Sequence, residues 1–196
     1  PEKIAPAALR WVELAFLSCM EEKELAILRF LRLGYQLGPQ VLRQLTDERV
    51  HMIYAAAQNV LDEAHLLKGF TRFSQYGAVL AAEIEPKNHV LPLLLKHFRA
   101  RMPGESFLIY DRTHRTALLF SGGKHQLLPL DSLSLPKAEA PELLYRRLWT
   151  RFYNTISIEG RYNPKCRQTN MPKRFWGTMT EFQPETPNAL PRSKEV

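Results

Sequence analysis

Cysteine is close to absent. Cys19 and Cys166 are the two in the chain, and neither has a CxxC companion or a histidine at ligand spacing. That argues against a disulfide framework or a structural zinc site and leads us to expect a reducing, cytoplasmic setting. His89, His97, His114 and His125 show no ligand spacing with one another or with a cysteine, so zinc-deaminase chemistry is not expected, nor is any metal or other cofactor. Long apolar runs are missing as well. The runs present are short, as in Leu93 to Leu95, and no charged-then-apolar leader opens the chain, so neither a membrane span nor a secretory signal is expected. The first residue is Pro1 rather than Met, from which we expect a preceding segment. Glycine is sparse at 9 residues and falls, with 14 prolines, mostly at joints between periodic segments; such a chain can bury a real core.

Acidic residues are scarce in one place above all. Between Glu142 and Trp176 only Glu142 and Glu159 oppose Arg146, Arg147, Arg151, Arg161, Lys165, Arg167, Lys173 and Arg174, a local balance of +6 in a chain whose total is +7. Tyr145, Trp149, Phe152, Tyr153, Tyr162, Phe175 and Trp176 are interleaved with these charges. Cations neutralise phosphates and flat rings stack on bases, so the block points to nucleic acid.

Periodicity supplies the frame. Residues 7 to 45 read as a helical hairpin, with Leu9, Val12, Phe16 and Leu17 on one stripe and Leu25, Leu28, Leu31 and Leu33 on the next. Thr46 is expected to cap a long helix over 47 to 68, ended by Gly69. Phe70 to Tyr76 and Ala78 to Ile84 predict two antiparallel strands around Gly77. Pro86 is expected to open a helix carrying Val90, Leu91, Leu94, Leu95 and Phe98, and residues 107–110, 116–120 and 126–130 predict three more strands. Gly122-Gly123-Lys124-His125 lacks phosphate-loop spacing and reads as a hairpin turn. The expected class is α+β: an antiparallel sheet of about five strands packed with helices, an N-terminal helical hairpin and a C-terminal amphipathic helix. The expected division is a helical region over 1–45, an α+β domain over 46–182 and a disordered tail over 183–196.

In the last long helix, from Pro141 to Ile158, a helical plot puts Leu144, Leu148, Phe152, Ile156, Tyr145, Trp149 and Tyr153 on one half and Arg146, Arg147 and Arg151 on the other. The rings are therefore expected to be mostly core, leaving a basic face outside. Beyond it, Asn163-Pro164 and Met171-Pro172 predict the starts of two short helices or turns.

The segment Phe152-Tyr153-Asn154, then Ile158-Glu159-Gly160-Arg161-Tyr162-Asn163-Pro164-Lys165, then Met171-Pro172-Lys173-Arg174-Phe175-Trp176, resembles the C-terminal hallmark of a bacterial domain-of-unknown-function family described as DNA metabolism or DNA repair proteins. Glu63-Ala64-His65-Leu66-Leu67-Lys68-Gly69-Phe70-Thr71-Arg72-Phe73 resembles a second piece of it, although Leu66 stands where that pattern has arginine. In that family the domain occurs beside a radical SAM protein assigned to DNA repair, or fused to a domain of the uracil-DNA glycosylase superfamily. The resemblance spans roughly residues 45 to 182 and implies a DNA-related role without implying a reaction.

Together these readings predict an accessory protein that binds DNA through Lys68, Arg72, Arg147, Arg151, Arg161, Tyr162, Lys165, Arg167, Lys173, Arg174 and Phe175. Two alternatives stay open. One is a nucleic-acid-processing enzyme, glycosylase-like or a nuclease, using His65, Glu63 or Glu159 as acid or base; the other is a docking partner for the radical SAM protein through the N-terminal helices. The balance leans away from an enzyme, because no catalytic constellation is legible.

Overall fold

The computed structural model describes residues 4–156 and 163–183, so the expected tail lies almost wholly outside the described residues. The chain divides into two compact units that interleave in sequence. One holds residues up to Gly69 with Pro86–Met102, and the other holds Phe70–Glu85 with the chain from Pro103 onward.

In the first unit, α1 (Pro6–Phe16) and α2 (Lys23–Leu37) form the expected hairpin, followed by a 3-10 turn over Gly38–Arg43 and by α3 (Glu48–Phe70). The inward stripes differ from those expected: Ala8, Leu14 and Ala15 are buried in α1, and Ala26, Ile27, Phe30, Leu33 and Gly34 in α2, while Phe16, Leu25 and Leu28 are exposed. Small residues decide this phase, because they let the backbones approach. A β-carbon on Gly34 would lie 2.7 Å from Cδ1 of the buried Ile4. Trp11 anchors the packing, its ring 5.1 Å from Tyr54 and 6.4 Å from Phe30. Asp47, not Thr46, caps α3: its Oδ1 accepts the Arg49 N–H at 3.0 Å, and its backbone oxygen accepts from His51. The helix runs through Gly69 instead of stopping there.

The helix expected from Pro86 begins later, as α4 (Leu91–Arg101). Glu63 holds residues 86–90 out of it. The Glu63 carboxylate, buried on α3, accepts the backbone N–H groups of Lys87 and Asn88 and the Asn88 side-chain amide at 2.7 to 3.1 Å. Asn88 then accepts the Cys19 N–H at 2.9 Å and donates to Asn59.

The second unit is built on five strands in sequence order, β1 (Ser74–Tyr76), β2 (Val79–Ile84), β3 (Ser106–Asp111), β4 (Thr116–Ser121) and β5 (Lys124–Pro129). The fold is α+β, as expected. Three of the strand pairs are antiparallel, and β2–β3 is parallel because the connection between these strands contains α4. Gly122 and Gly123, both with positive φ (56° and 78°), make the two-residue turn between β4 and β5. Phe107 and Phe120 are register partners with stacked rings 5.0 Å apart, and Phe73 meets Phe107 edge-on.

After β5 the chain forms α5 (Ala140–Thr155), α6 (Pro164–Asn170) and 3-10 turns over Lys173–Thr178 and Thr180–Phe182. Asn163 caps α6, its Oδ1 accepting the Cys166 N–H, which matches the start read from Asn163-Pro164. No helix among the described residues is long and apolar enough to cross a membrane.

Candidate nucleic-acid interface

Two carboxylates organise the C-terminal segment. Glu181 is buried and receives Arg72 in a two-point contact, Nη2 to Oε1 at 2.7 Å and Nε to Oε2 at 3.1 Å. The indole N–H of Trp149 donates to the same Oε2 at 3.1 Å, and the Arg72 guanidinium lies 5.3 Å from the Trp149 ring centre. Burial pushes the Glu181 carboxyl up, but the Arg72 hydrogen bonds, its own backbone N–H, the Arg72 charge and Trp149 outweigh burial and hold it below the usual range.

Glu142, in the first turn of α5, accepts the Gln75 N–H of edge strand β1 at 3.0 Å and the Arg146 Nε at 2.8 Å. Arg146 also donates to Ser74 Oγ and Tyr76 Oη. Burial again acts upward on Glu142 and is outweighed, chiefly by the Gln75 N–H and then by Arg146. Helix α5 is thus fastened to the sheet edge by polar contacts, whereas Leu144, Tyr145, Leu148, Phe152 and Ile156 stay outside.

The expectation that the α5 rings are core does not hold. Glu142 is the buried residue of α5, while Tyr145 is 65%, Phe152 53% and Trp149 39% exposed, and Leu144, Leu148 and Ile156 are also exposed. Helical periodicity sorts residues onto faces; it does not say which face is covered. Here the side bearing Glu142, Arg146 and Trp149 is turned inward by their hydrogen bonds. The Trp149 and Phe152 rings lie 5.8 Å apart at 30°.

Below α5 the rings continue. Tyr153 meets Phe182 edge-on at 5.5 Å, and Phe182 stacks on Trp176 at 4.3 Å and 9°. Trp176 is fixed by its indole N–H to the Met171 carbonyl at 3.0 Å and carries two cations, Arg167 at 5.2 Å and Lys173 at 6.0 Å from its centre. The Arg167 Nε is buried without an acceptor among the described residues.

The residues singled out from sequence therefore divide. Arg147 and Arg151 are exposed on α5; Lys165, Lys173 and Arg174 are exposed after it; Arg167 is half-buried on Trp176. Phe175 is buried, 5.3 Å from Phe70 with Arg174 4.4 Å from its ring, so it packs the core and offers no face to a base. Arg72 is drawn onto Glu181. Lys68 belongs to the helical unit, where burial, then its charge and that of Arg101, push the His97 imidazole down. Glu159, Arg161 and Tyr162 lie outside the described residues. His65 is exposed, and Glu63 is occupied by backbone donors, which assigns it to loop structure rather than proton transfer. No group of three or more His, Cys, Asp or Glu among the described residues is placed to hold a metal ion.

The fold and this surface define an α+β protein with a basic, ring-bearing C-terminal face. A family model matches residues 21–181, and the chain belongs to that family, described as DUF4130, a domain of unknown function. No curated protein and no solved structure matches the chain.

Proposed function

We propose that this chain is a cytoplasmic DNA-binding accessory protein of a DNA-metabolism or repair system, holding DNA on its C-terminal unit while a separate enzyme acts. One observation carries the reading. Over residues 140–156 and 163–183 the only acids are Glu142 and Glu181, and both are buried against arginines, so every charge this segment displays to solvent is positive. Arg151, Lys165, Arg167 and Lys173 form no ion pair with a carboxylate among the described residues. A surface whose exposed charges share the positive sign attracts phosphate.

The resemblance to DNA-repair proteins supports the same direction and suggests a radical SAM protein or a uracil-DNA glycosylase-like domain as the working partner. The enzymatic reading draws less support, since Glu63 is spent on holding residues 86–90. The test is fluorescence anisotropy with labelled DNA at several salt concentrations. Affinity is expected to fall with a log–log slope of about −0.9 per duplex phosphate or −0.7 per single-strand phosphate engaged, and the pair of reversals Lys173→Glu and Arg174→Glu is expected to weaken binding. A folded double variant that binds as tightly as the parent overturns the assignment.

A further inference from the structure

Resting on that DNA-binding reading, we infer that the ligand of the C-terminal face is unpaired nucleotides, which stack on the exposed ring-bearing stripe of α5. Tyr145, Leu148, Phe152 and Ile156 follow one another on successive turns with half or more of their surface open, and Arg151 stands exposed beside them with no carboxylate partner among the described residues.

A duplex has no use for such a stripe. Its outer surface is phosphate and sugar, its base faces are covered by their neighbours, and α5 would set leucine, isoleucine and phenylalanine against charged oxygens. An unpaired base brings an apolar π-face together with a flanking phosphate, and that combination matches rings bordered by cations. Trp149 is already oriented by Glu181 and Arg72, and it holds the Phe152 ring beside it. A second cationic centre lies on the same unit. From Tyr153 through Phe182 to Trp176 the rings touch in sequence, ending under Arg167 and Lys173, which supplies further cations for a bound strand's phosphates.

Two other occupants suit the surface less well. A second copy pairing α5 against α5 would bring the Arg147 and Arg151 flanks of both copies together. A protein partner would have to bring its own acids to this face, where every exposed charge over residues 140–156 and 163–183 is positive.

The experiment compares a single-stranded oligonucleotide with the duplex of the same sequence, using the full chain, its Tyr145→Ala/Phe152→Ala variant and the Lys173→Glu/Arg174→Glu variant, with folding checked by circular dichroism. The parent is expected to bind the single strand at least ten-fold more tightly than the duplex. Loss of the two rings should weaken single-strand binding by about ten-fold per ring, leaving the salt slope and duplex binding unchanged. Equal affinity for both forms, or a ring variant that binds the single strand like its parent, overturns this inference while leaving DNA binding intact. Loss of self-association in the ring variant, seen by sedimentation without any change in DNA affinity, overturns it in favour of a second copy. Failure of the parent to bind either DNA removes the underlying reading as well.

Discussion

Arg72 and Glu181, 109 positions apart, meet through two parallel hydrogen bonds, with Glu181 also accepting from the Trp149 indole. The pair ties the chain entering the sheet to its last described turn, and the Glu181 side chain is almost wholly buried while that of Arg72 is 21% exposed. Breaking a buried pair by removing one partner costs about 3–5 kcal/mol, and the partial exposure of Arg72 places this one at the lower end. Glu181→Ala and Arg72→Ala are each expected to lower the thermal midpoint by a comparable amount. Because Glu181 is held below its ordinary pKa when folded, its contribution is fully present above the unfolded value of about 4.3 and is lost as pH falls through the folded value. Unfolding followed by circular dichroism should show stability declining on acidification below about pH 4 in the parent and less steeply in Glu181→Gln. Identical acid profiles would contradict the pairing.

Glu63 gives a second expectation. Three N–H donors converge on its buried carboxylate, and hydrogen bonds to a charged group are worth about 1.5–3 kcal/mol each, though not additively. Glu63→Gln turns an amide NH2 toward those donors, so it is expected to destabilise the helical unit by about 3 kcal/mol or more and to speed hydrogen exchange at Lys87 and Asn88. Unchanged exchange at both amides would sink this account.

The elements with strong local signals were legible in the sequence. The apolar recurrence of α3 from Val50 to Ala64, the Gly122-Gly123 turn and the Asn163-Pro164 start all act within a few residues, and the structure places each where that chemistry predicts, with α3 shifted at its ends. What escaped is non-local. Glu63 reads as a candidate catalytic acid or base until Lys87 and Asn88 fold back on it from 24 and 25 positions away. Trp149 and Phe152 read as core because a plot of one helix contains no information about what covers it. The parallel β2–β3 pair did have a signal, a strand–helix–strand order, that an antiparallel reading passed over. For the site, the exposed cations of the C-terminal segment were visible from composition, whereas the burial of Phe175 and the capture of Arg72 depended on tertiary partners.

That capture separates displayed cations from structural ones. Arg151→Gln and Lys173→Gln should each reduce the salt slope of single-strand binding by about 0.7 if each engages one phosphate. Arg72→Gln, whose guanidinium is engaged by Glu181, should leave the slope unchanged even though it weakens the fold. The measurement is anisotropy across salt concentrations for the three variants. A slope that falls for Arg72→Gln and not for Lys173→Gln would reverse the assignment.

The contact between Glu142 and Gln75 protects an edge. Strand β1 ends the sheet, and an unpaired edge N–H is a template for another strand. The Glu142 Oε2 takes the Gln75 N–H, while Arg146 holds the carboxylate from the other side and reaches Ser74 and Tyr76. Helix α5 therefore covers the edge with charge-assisted hydrogen bonds instead of an apolar seal, which leaves its rings available outside. Glu142→Ala should accelerate exchange of the Gln75 amide and raise aggregation on mild heating, with a stability loss of about 1–3 kcal/mol from the unsatisfied donor. Arg146→Ala should do the same more weakly, since the Gln75 bond survives but loses its anchor. If α5 were instead held by its apolar face, both variants would leave Gln75 exchange unaltered, and Leu148→Ala would be the damaging change.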